Sequence, residues 1–553
     1  MSLSRGTKQT AVLPRPASSI RGILATAHNA YLAGRLDEAR QLCLQALALD
    51  VRHVGALHLL GMTEFQAGRP EVGEKMLRRA LAADETNADV LANLGLILQS
   101  RGRLDEAAQC YLQTLKIKPE QIEARNNLGC IYRKLDRMEE AVACFRKVLE
   151  LEPDHLQAID NLGAVLMHMG ALDEAMRCCQ RALKLDPGNM QVHSHMAIVL
   201  QYQGRYEDSL AYLDKVYAEI PEPENVQRQT AAQVEVKWNR AMMQLATGHF
   251  AEGWKSYEWR WWTEFWDTPH RRYAQPLWQG ERLEGRLLLW PEQGVGDEVQ
   301  FVGLLPEVLR TGNRILLECA PRLVPLFARS FPEVEVVAQP AVTAATEFAA
   351  HLPVGSLPGL FRSSEEDFRQ SLRGYLRADP AAVEALRARY DNGRRRVGLA
   401  WYTGNKSSGA KRSIALARFQ PFFAQPDLHW ISLQYGDFDA LEKQAAEAGA
   451  PLTIDRAVDQ MADLDLFAAQ IAALDLVITI DNSTAHMAAA LGRPVWLLLP
   501  LDCDCRWLRR RSDCPWYPTM RIFRQSKPGD WNPVLDAVNQ ELAQWIRKGV
   551  ENE

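Results

Sequence analysis

The segment LDLVITIDNSTAHMAAALGRPVWLLLP carries residues whose order suits anion chemistry. Its apolar run ends at Ile480, Asp481 and Asn482 form a turn, a helix is predicted from Ser483, and a second turn over residues 492–494 leads into another strand. The first amides of a helix have no intrahelical acceptor, so the N–H groups of Ser483, Thr484 and Ala485 are expected to be free and to suit a phosphate. His486 falls in the same first turn, either as a donor to a diphosphate oxygen or as a satisfied capping or core histidine. A second strand end, WPEQGVGDEVQF, turns on glycine and enters a helix near Asp297, a residue type that commonly caps such a helix. Here Gly294 and Gly296 form G-x-G, and Glu318 stands at the next strand end. That is the beginning of a dinucleotide fingerprint, but Val299 occupies the place of its third glycine, which weighs against a nicotinamide or flavin enzyme. Gln434 ends a further strand beside Tyr435, where it would reach a nucleotide base. Cys503, Cys505 and Cys514 lack the paired C-x2-C spacing of a structural zinc site and are read as thiols, so no metal is expected.

These turns need strands to present them. From Arg286 onward short apolar runs alternate with helical stretches: RLLLW, RILLE, VEVVA, RVGLAW, HWISLQ, LVITI, VWLLLP and RIFR. Strands that are apolar on both faces and separated by helices indicate parallel sheets. The helical stretch from DFRQS to NGRRR divides the runs, predicting one Rossmann-like lobe over 281–390 and a second over 391–553 that ends in a helix. Ligands of such sheets bind at the carboxyl ends of the strands, in the cleft.

The first half is built differently. Gly61, Gly95, Gly129 and Gly163 recur every 34 residues, Ala107, Ala141 and Ala175 follow the last three of them, and Pro119, Pro153 and Pro187 close the units. This pattern resembles the tetratricopeptide (TPR) family over residues 20–221, with weaker units at 20–53 and 188–221. Helix pairs of this kind stack into a superhelix whose groove holds extended peptide, so a polypeptide partner is implied. Asn93, Asn127 and Asn161 hold one repeat position, and Asn239 holds it in a later unit; their amides either form a ladder for a bound peptide backbone or are the asparagines common at that position. Residues 222–280 are read as an insertion, a last TPR-like unit and a Trp-rich junction, and the aromatic cluster that begins there, Trp254, Trp259, Trp261, Trp262, Trp266, Trp278 and Trp290, holds seven of the fifteen tryptophans. Such a cluster is either a packed junction or a stacking platform for sugar.

With 553 residues the chain exceeds one hydrophobic core. A net charge of -5 supplies no basic field for nucleic acid, and the polar first nineteen residues read as a disordered tail rather than a secretory signal. No run is long enough to span a bilayer, and a cytoplasmic location is expected. A homo-oligomer is admitted, since the terminal repeats diverge from the rest.

Region 281–545 resembles the GT-B glycosyltransferases of the heptosyltransferase family and the TPR-fused protein O-linked N-acetylglucosamine transferases, including flagellin glycosyltransferases, in EQGVGDEVQF, in CRWLRRRSDCPWYPTMRIFRQ and in 475–500. The resemblance implies a GT-B fold with an acceptor-side first lobe and a donor-side second lobe. It implies Asp297, after Gly296, as general base, Asp481 and His486 as the D-x-x-x-x-H element, and GNKSSGAKRS, with Lys406, Lys411 and Arg412, as the basic donor segment. The implied activity is inverting, metal-independent transfer of a sugar from a nucleotide donor to Ser or Thr of a captured polypeptide, with no further cofactor. The sequence departs in having Asp481-Asn482-Ser483 where heptosyltransferases carry D-T-G, which leaves the sugar and nucleotide open. An inactive TPR scaffold and a transferase acting on a glycan or lipid-linked acceptor are the alternatives.

Overall fold

The computed structural model describes residues 19–220, 229–264, 266, 268–340, 347–404 and 409–550. Most of the expected tail, the insertion after Pro221 and Lys406 therefore lie outside the described residues. Ser19, assigned to the tail, belongs to the fold: its Oγ accepts from Gly22 N at 3.2 Å and caps the first helix. The chain divides into two compact units, residues 1–188 and 189–553.

In the first unit, ten helices among the described residues run from Ile20–Leu32 to Leu172–Leu185, each packing on the next as a helical hairpin. The 34-residue glycine period has a steric cause. A Cβ on Gly95 would stand 2.9 Å from the Tyr111 ring, and one on Gly129 2.7 Å from the Phe145 ring, so the aromatic of the second helix lies directly on the backbone of the first. Ala107, Ala141 and Ala175 are fully buried in the same seams. The tight turns between paired helices need left-handed backbone, supplied by Gly102 at φ 73° and, one repeat later, by Asp136 at φ 60°.

The second unit opens with two more pairs, Met190–Tyr202 with Tyr206–Glu219 and Ala231–Ala246 with Phe250–Tyr257. Thr230 and Gln233 form a reciprocal capping box at the start of the third of these helices. Beyond them come two sheets. Strands β1 (Arg286–Trp290), β2 (Arg314–Cys319), β3 (Glu335–Ala338) and β4 (Ala350–Pro353) form a parallel sheet in the order β3-β2-β1-β4. Strands β5 (Arg395–Ala400), β6 (Leu428–Ser432), β7 (Leu452–Thr453), β8 (Leu476–Ile480), β9 (Val495–Leu499), β10 (Asp513–Cys514) and β11 (Tyr517–Arg524) form the second, in the order β10-β11-β9-β8-β5-β6-β7. Only the β10/β11 pair is antiparallel among the described strands. All eight anticipated strands are present, while β4, β7 and β10 were not anticipated. The protein is thus a TPR solenoid followed by an α/β region with one parallel sheet and one that is parallel except at its β10 edge.

The tryptophan-rich junction packs against the first sheet. Trp278 and Trp290 are fully buried, and the Trp261 and Trp290 rings stand 5.5 Å apart. Arg260, wholly buried, donates from Nε to Glu292 Oε2 at 2.9 Å and from Nη2 to Ser356 Oγ at 2.8 Å. This ties the junction to the turn that leaves β1.

Candidate active site

Each sheet reverses its strand order at one place. The chain leaves β1 toward β2 and returns to its other side as β4, and it leaves β5 toward β6 and returns as β8. Where the order reverses, the outgoing loops diverge and open a crevice at the carboxyl ends of the strands. The loops after β1, β5, β6, β8 and β9 line one cavity of about 540 Å³, with Trp238, Trp254, Tyr257 and Trp266 on a further wall.

Asp297 and Arg506 meet in this cavity. Arg506 Nη2 donates to Asp297 Oδ1 at 2.7 Å, and Gly294 N donates to Asp297 Oδ2 at 3.2 Å. Gly294, not Asp297, is the N-cap of the helix Val295–Phe301, and Asp297 stands at its third residue and reaches back to the Gly294 amide, while Arg506 gives it a charged partner from the loop after β9. Arg506 also donates from Nη1 to Gln300 Oε1 at 2.8 Å and pairs through Nε with Asp504 at 3.0 Å. Of the five left-handed non-glycine residues among the described residues, Gln293 (φ 61°), Leu508 (47°) and Arg510 (55°) fall in the two loops that carry this pair. Strained backbone concentrates where a site over-determines its loops. Arg506 was not singled out from the sequence, because one arginine in CRWLRRRSDC is indistinguishable from its neighbours until the loop is folded.

Asp481 and Arg412, from the loops after β8 and β5, form a second pair, with Arg412 Nη1 3.1 Å from Asp481 Oδ2. Burial pushes the Asp481 carboxyl up, while the Arg412 guanidinium pulls it back down. Ser483 is exposed and lines the cavity; Thr484 is buried. Gly296 packs so tightly on the second lobe that a Cβ there would stand 3.2 Å from the His486 ring.

The structure revises several expected roles. The Ala485 amide is not free: Asn482 caps the helix by accepting from it at 3.3 Å. Asn482 Nδ2, in turn, is buried without a hydrogen-bond partner among the described residues. His486 is only 3% exposed, stacked on Trp507 at 5.0 Å and bonded through Nδ1 to Tyr517 OH at 2.8 Å. Burial, and then Arg506, push its pKa well below the usual histidine range, so it is neutral and holds the wall of the site. Gln434 is spent inside the lobe, accepting from Trp401 N at 3.0 Å and Tyr402 N at 2.9 Å while its Nε2 donates to Tyr402 O at 3.0 Å. It ties the loop after β5 to that after β6 and has nothing left for a base. Lys411 stands 3.6 Å over the Tyr202 ring rather than in the cavity. Glu318, the acidic residue after the partial dinucleotide fingerprint, is buried in an ion pair with Arg271.

The TPR asparagines are half-buried and engaged within their own units. Asn93 Nδ2 lies 2.6 Å from His58 Nε2, Asn161 Nδ2 donates to Asn126 Oδ1 at 3.4 Å, and Asn239 Nδ2 donates to Ser194 Oγ at 2.7 Å. Asn127 is also half-buried, beside the buried Tyr111, whose hydroxyl donates to Gln99 Oε1 at 3.5 Å. Of the junction tryptophans, Trp254 and Trp266 reach the cavity and Trp278 and Trp290 are core.

Residues 58–122, 122–155 and 161–189 match the tetratricopeptide repeat family. These repeats make the solenoid a protein-interaction module. The chain is similar to Protein FlbA of Caulobacter vibrioides, with 31% identity over 331 residues, 56% of this chain and 54% of FlbA. It thus spans about half the length of that curated relative. Similar solved structures include a TPR protein of Parabacteroides merdae (21% identity, 43% of this chain and 92% of that one, TM-score 0.36). Others are MamA of Desulfovibrio magneticus (19%, 30% and 93%, 0.29) and YrrB, described as a TPR protein with an unusual peptide-binding site (21%, 32% and 90%, 0.29). No described helix is long and apolar enough to cross a membrane.

Proposed function

We propose that the α/β region transfers a sugar from a nucleotide donor, and that the solenoid captures the polypeptide whose Ser or Thr accepts it. One observation carries the reading: a carboxylate from the first lobe, Asp297, faces cations and a helix start from the second lobe, Arg412, Arg506 and Ser483, across a single cavity at the strand ends. In this reading Asp297 takes the proton of the acceptor hydroxyl as that oxygen bonds to the sugar's anomeric carbon. The carbon–oxygen bond to the diphosphate breaks with inversion, and the electron pair leaves on a phosphate oxygen that Arg506 and Arg412 stabilise. The orphan amide of Asn482 offers a further donor. His486 supports the wall and moves no proton.

The test is the melting temperature with UDP, GDP, ADP and CMP, for the wild type and Arg412→Ala. A nucleotide at about 100 times its dissociation constant stabilises by about 2.7 kcal/mol, a shift of several degrees. A shift with one nucleotide in the wild type alone supports the reading. The competing scaffold reading draws on Asp297, whose two oxygens already carry hydrogen bonds, and on the consumed Ala485 amide. It predicts no shift with any of the four.

A further inference from the structure

The loop between β9 and β10, which presents Arg506, does not hold its shape alone. Tyr206 OH donates to Leu501 O at 3.0 Å, and Gln201 Nε2 donates to Asp502 Oδ1 at 2.7 Å. The Arg509 guanidinium lies 3.5 Å over the Tyr206 ring, and the same arginine donates to Leu501 O at 2.9 Å and to Cys503 O at 2.8 Å. Tyr206 therefore grips the loop twice, once by its hydroxyl on the backbone and once by its ring on Arg509. Between Tyr202 and Tyr206 the helical turn passes so close that a Cβ on Gly204 would stand 3.5 Å from the Leu501 side chain. The other face of the turn holds the second donor loop, because Lys411, beside Arg412, sits on the Tyr202 ring. Next along the chain, the helix Ala231–Ala246 packs on the 3-10 turn Cys505–Trp507.

We infer that the helix pair Met190–Tyr202 and Tyr206–Glu219 is part of the anion site, with Gln201 and Tyr206 as positioning residues that set Arg506 and Tyr202 as the one that sets Arg412. Its role in donor binding rests on the transferase reading; its hold on the loop does not. A TPR hairpin used in this way has a task beyond lining a peptide groove. Its repeat-period features survive, including the turn glycine Gly204 at φ 74°, while its turn-side residues have become aromatic or amide groups that bond to the α/β loops. An aromatic face suits this task, since the Tyr206 ring holds the Arg509 guanidinium without consuming the donors that Arg509 gives to Leu501 O and Cys503 O.

Two readouts on the full chain test the inference. Inorganic pyrophosphate is titrated calorimetrically into the wild type, Tyr206→Phe, Tyr206→Ala, Gln201→Ala and Arg506→Ala, with Gly95→Ala as a variant destabilised in the other unit. The rate of iodoacetamide labelling at Cys505, read by mass spectrometry, reports loop position without any ligand. Losing one hydroxyl bond should weaken pyrophosphate about fivefold in Tyr206→Phe, and losing bond and ring together more than tenfold in Tyr206→Ala. Cys505 should label faster in Tyr206→Ala and Gln201→Ala, while Gly95→Ala matches the wild type in both readouts. Wild-type labelling and wild-type pyrophosphate affinity in Tyr206→Ala would overturn the inference. Faster labelling in a protein whose wild type binds no pyrophosphate would leave the positioning intact and sink the donor reading.

Discussion

Arg506 Nη2 stands 2.7 Å from Asp297 Oδ1, so the loop after β9 in the second sheet is charge-paired to the turn after β1 in the first. Both side chains are about one-fifth exposed, at 18% and 21%, so the pair is neither a solvated surface contact nor a sealed one. In the proposed transferase, a donor phosphate would compete with Asp297 for the same guanidinium, and the carboxylate would gain a free oxygen as the anion binds.

That competition sets the first prediction. Asp297→Asn is expected to cut transfer by about a hundredfold or more by removing the base, yet to leave nucleotide affinity equal to or better than wild type because Arg506 is released. Initial rates and calorimetric binding on one preparation check both halves. An affinity loss matching the rate loss would make Asp297 a binding residue instead.

Gly129→Ala probes the solenoid. Its Cβ would meet the Phe145 ring at 2.7 Å, and overpacking of this kind costs about 1–3 kcal/mol. Phe145 is fully buried and cannot swing away cheaply. Denaturant melts should show the loss; a companion Phe145→Leu change should recover part of it.

The solenoid was legible because its signal is repeated: one contact, a ring of the second helix on the glycine of the first, leaves its mark at 95 and again at 129. The strands were legible where they are apolar on both faces. β4 escaped because His351 and Pro353 break its apolar run, although all four of its residues are buried beside β1. The turns after β1 and β8 could be named in advance, since strand, turn and helix follow one another locally. What could not be read was where each side chain spends its hydrogen bonds. Gln434 looks the same in sequence whether it faces a nucleotide or, as here, Trp401 and Tyr402. The site role of Arg506 depends on Asp297, more than two hundred residues away in the chain.

Arg260→Met is expected to destabilise strongly. The guanidinium is fully buried on Glu292, itself 2% exposed, and removing one partner of a buried pair costs about 3–5 kcal/mol because a charge is left unpaired. Adding Glu292→Gln should return part of that loss, and thermal melts of the two variants decide it. Equal melting points for wild type and Arg260→Met would show that the junction does not depend on the pair.

Glu298, next to the proposed base, sets a pH dependence. Burial pushes its carboxyl up from 4.5 to about 7, against a hydrogen bond from Ala320 N at 2.9 Å. A carboxyl raised on folding holds its proton more tightly in the folded chain, so its contribution is complete below 4.5 and is lost as pH rises through about 7. Glu298→Gln keeps an acceptor for Ala320 and has no proton to lose. Between about pH 5 and about pH 8 the wild type should therefore lose stability relative to the variant, by about 1–3 kcal/mol. Parallel melting curves across that range would place the carboxyl in a more polar setting than its burial implies.

Truncation separates the polypeptide-acceptor reading from one in which a glycan or lipid-linked acceptor is glycosylated, provided the cut respects the fold. A cut at 221 would remove Gln201, Tyr202 and Tyr206, and with them the supports of the loops carrying Arg506 and Arg412. A cut at 188 removes one whole unit and leaves every site contact described above inside residues 189–553. The 189–553 fragment should fold, keep the nucleotide-dependent melting shift and transfer sugar to a small free acceptor, whereas transfer to the polypeptide collapses. The 222–553 fragment should lose the nucleotide shift as well. If 189–553 still glycosylates the polypeptide at the full-length rate, the repeats of the first unit do not capture the acceptor, and the peptide must be recognised by the α/β region itself.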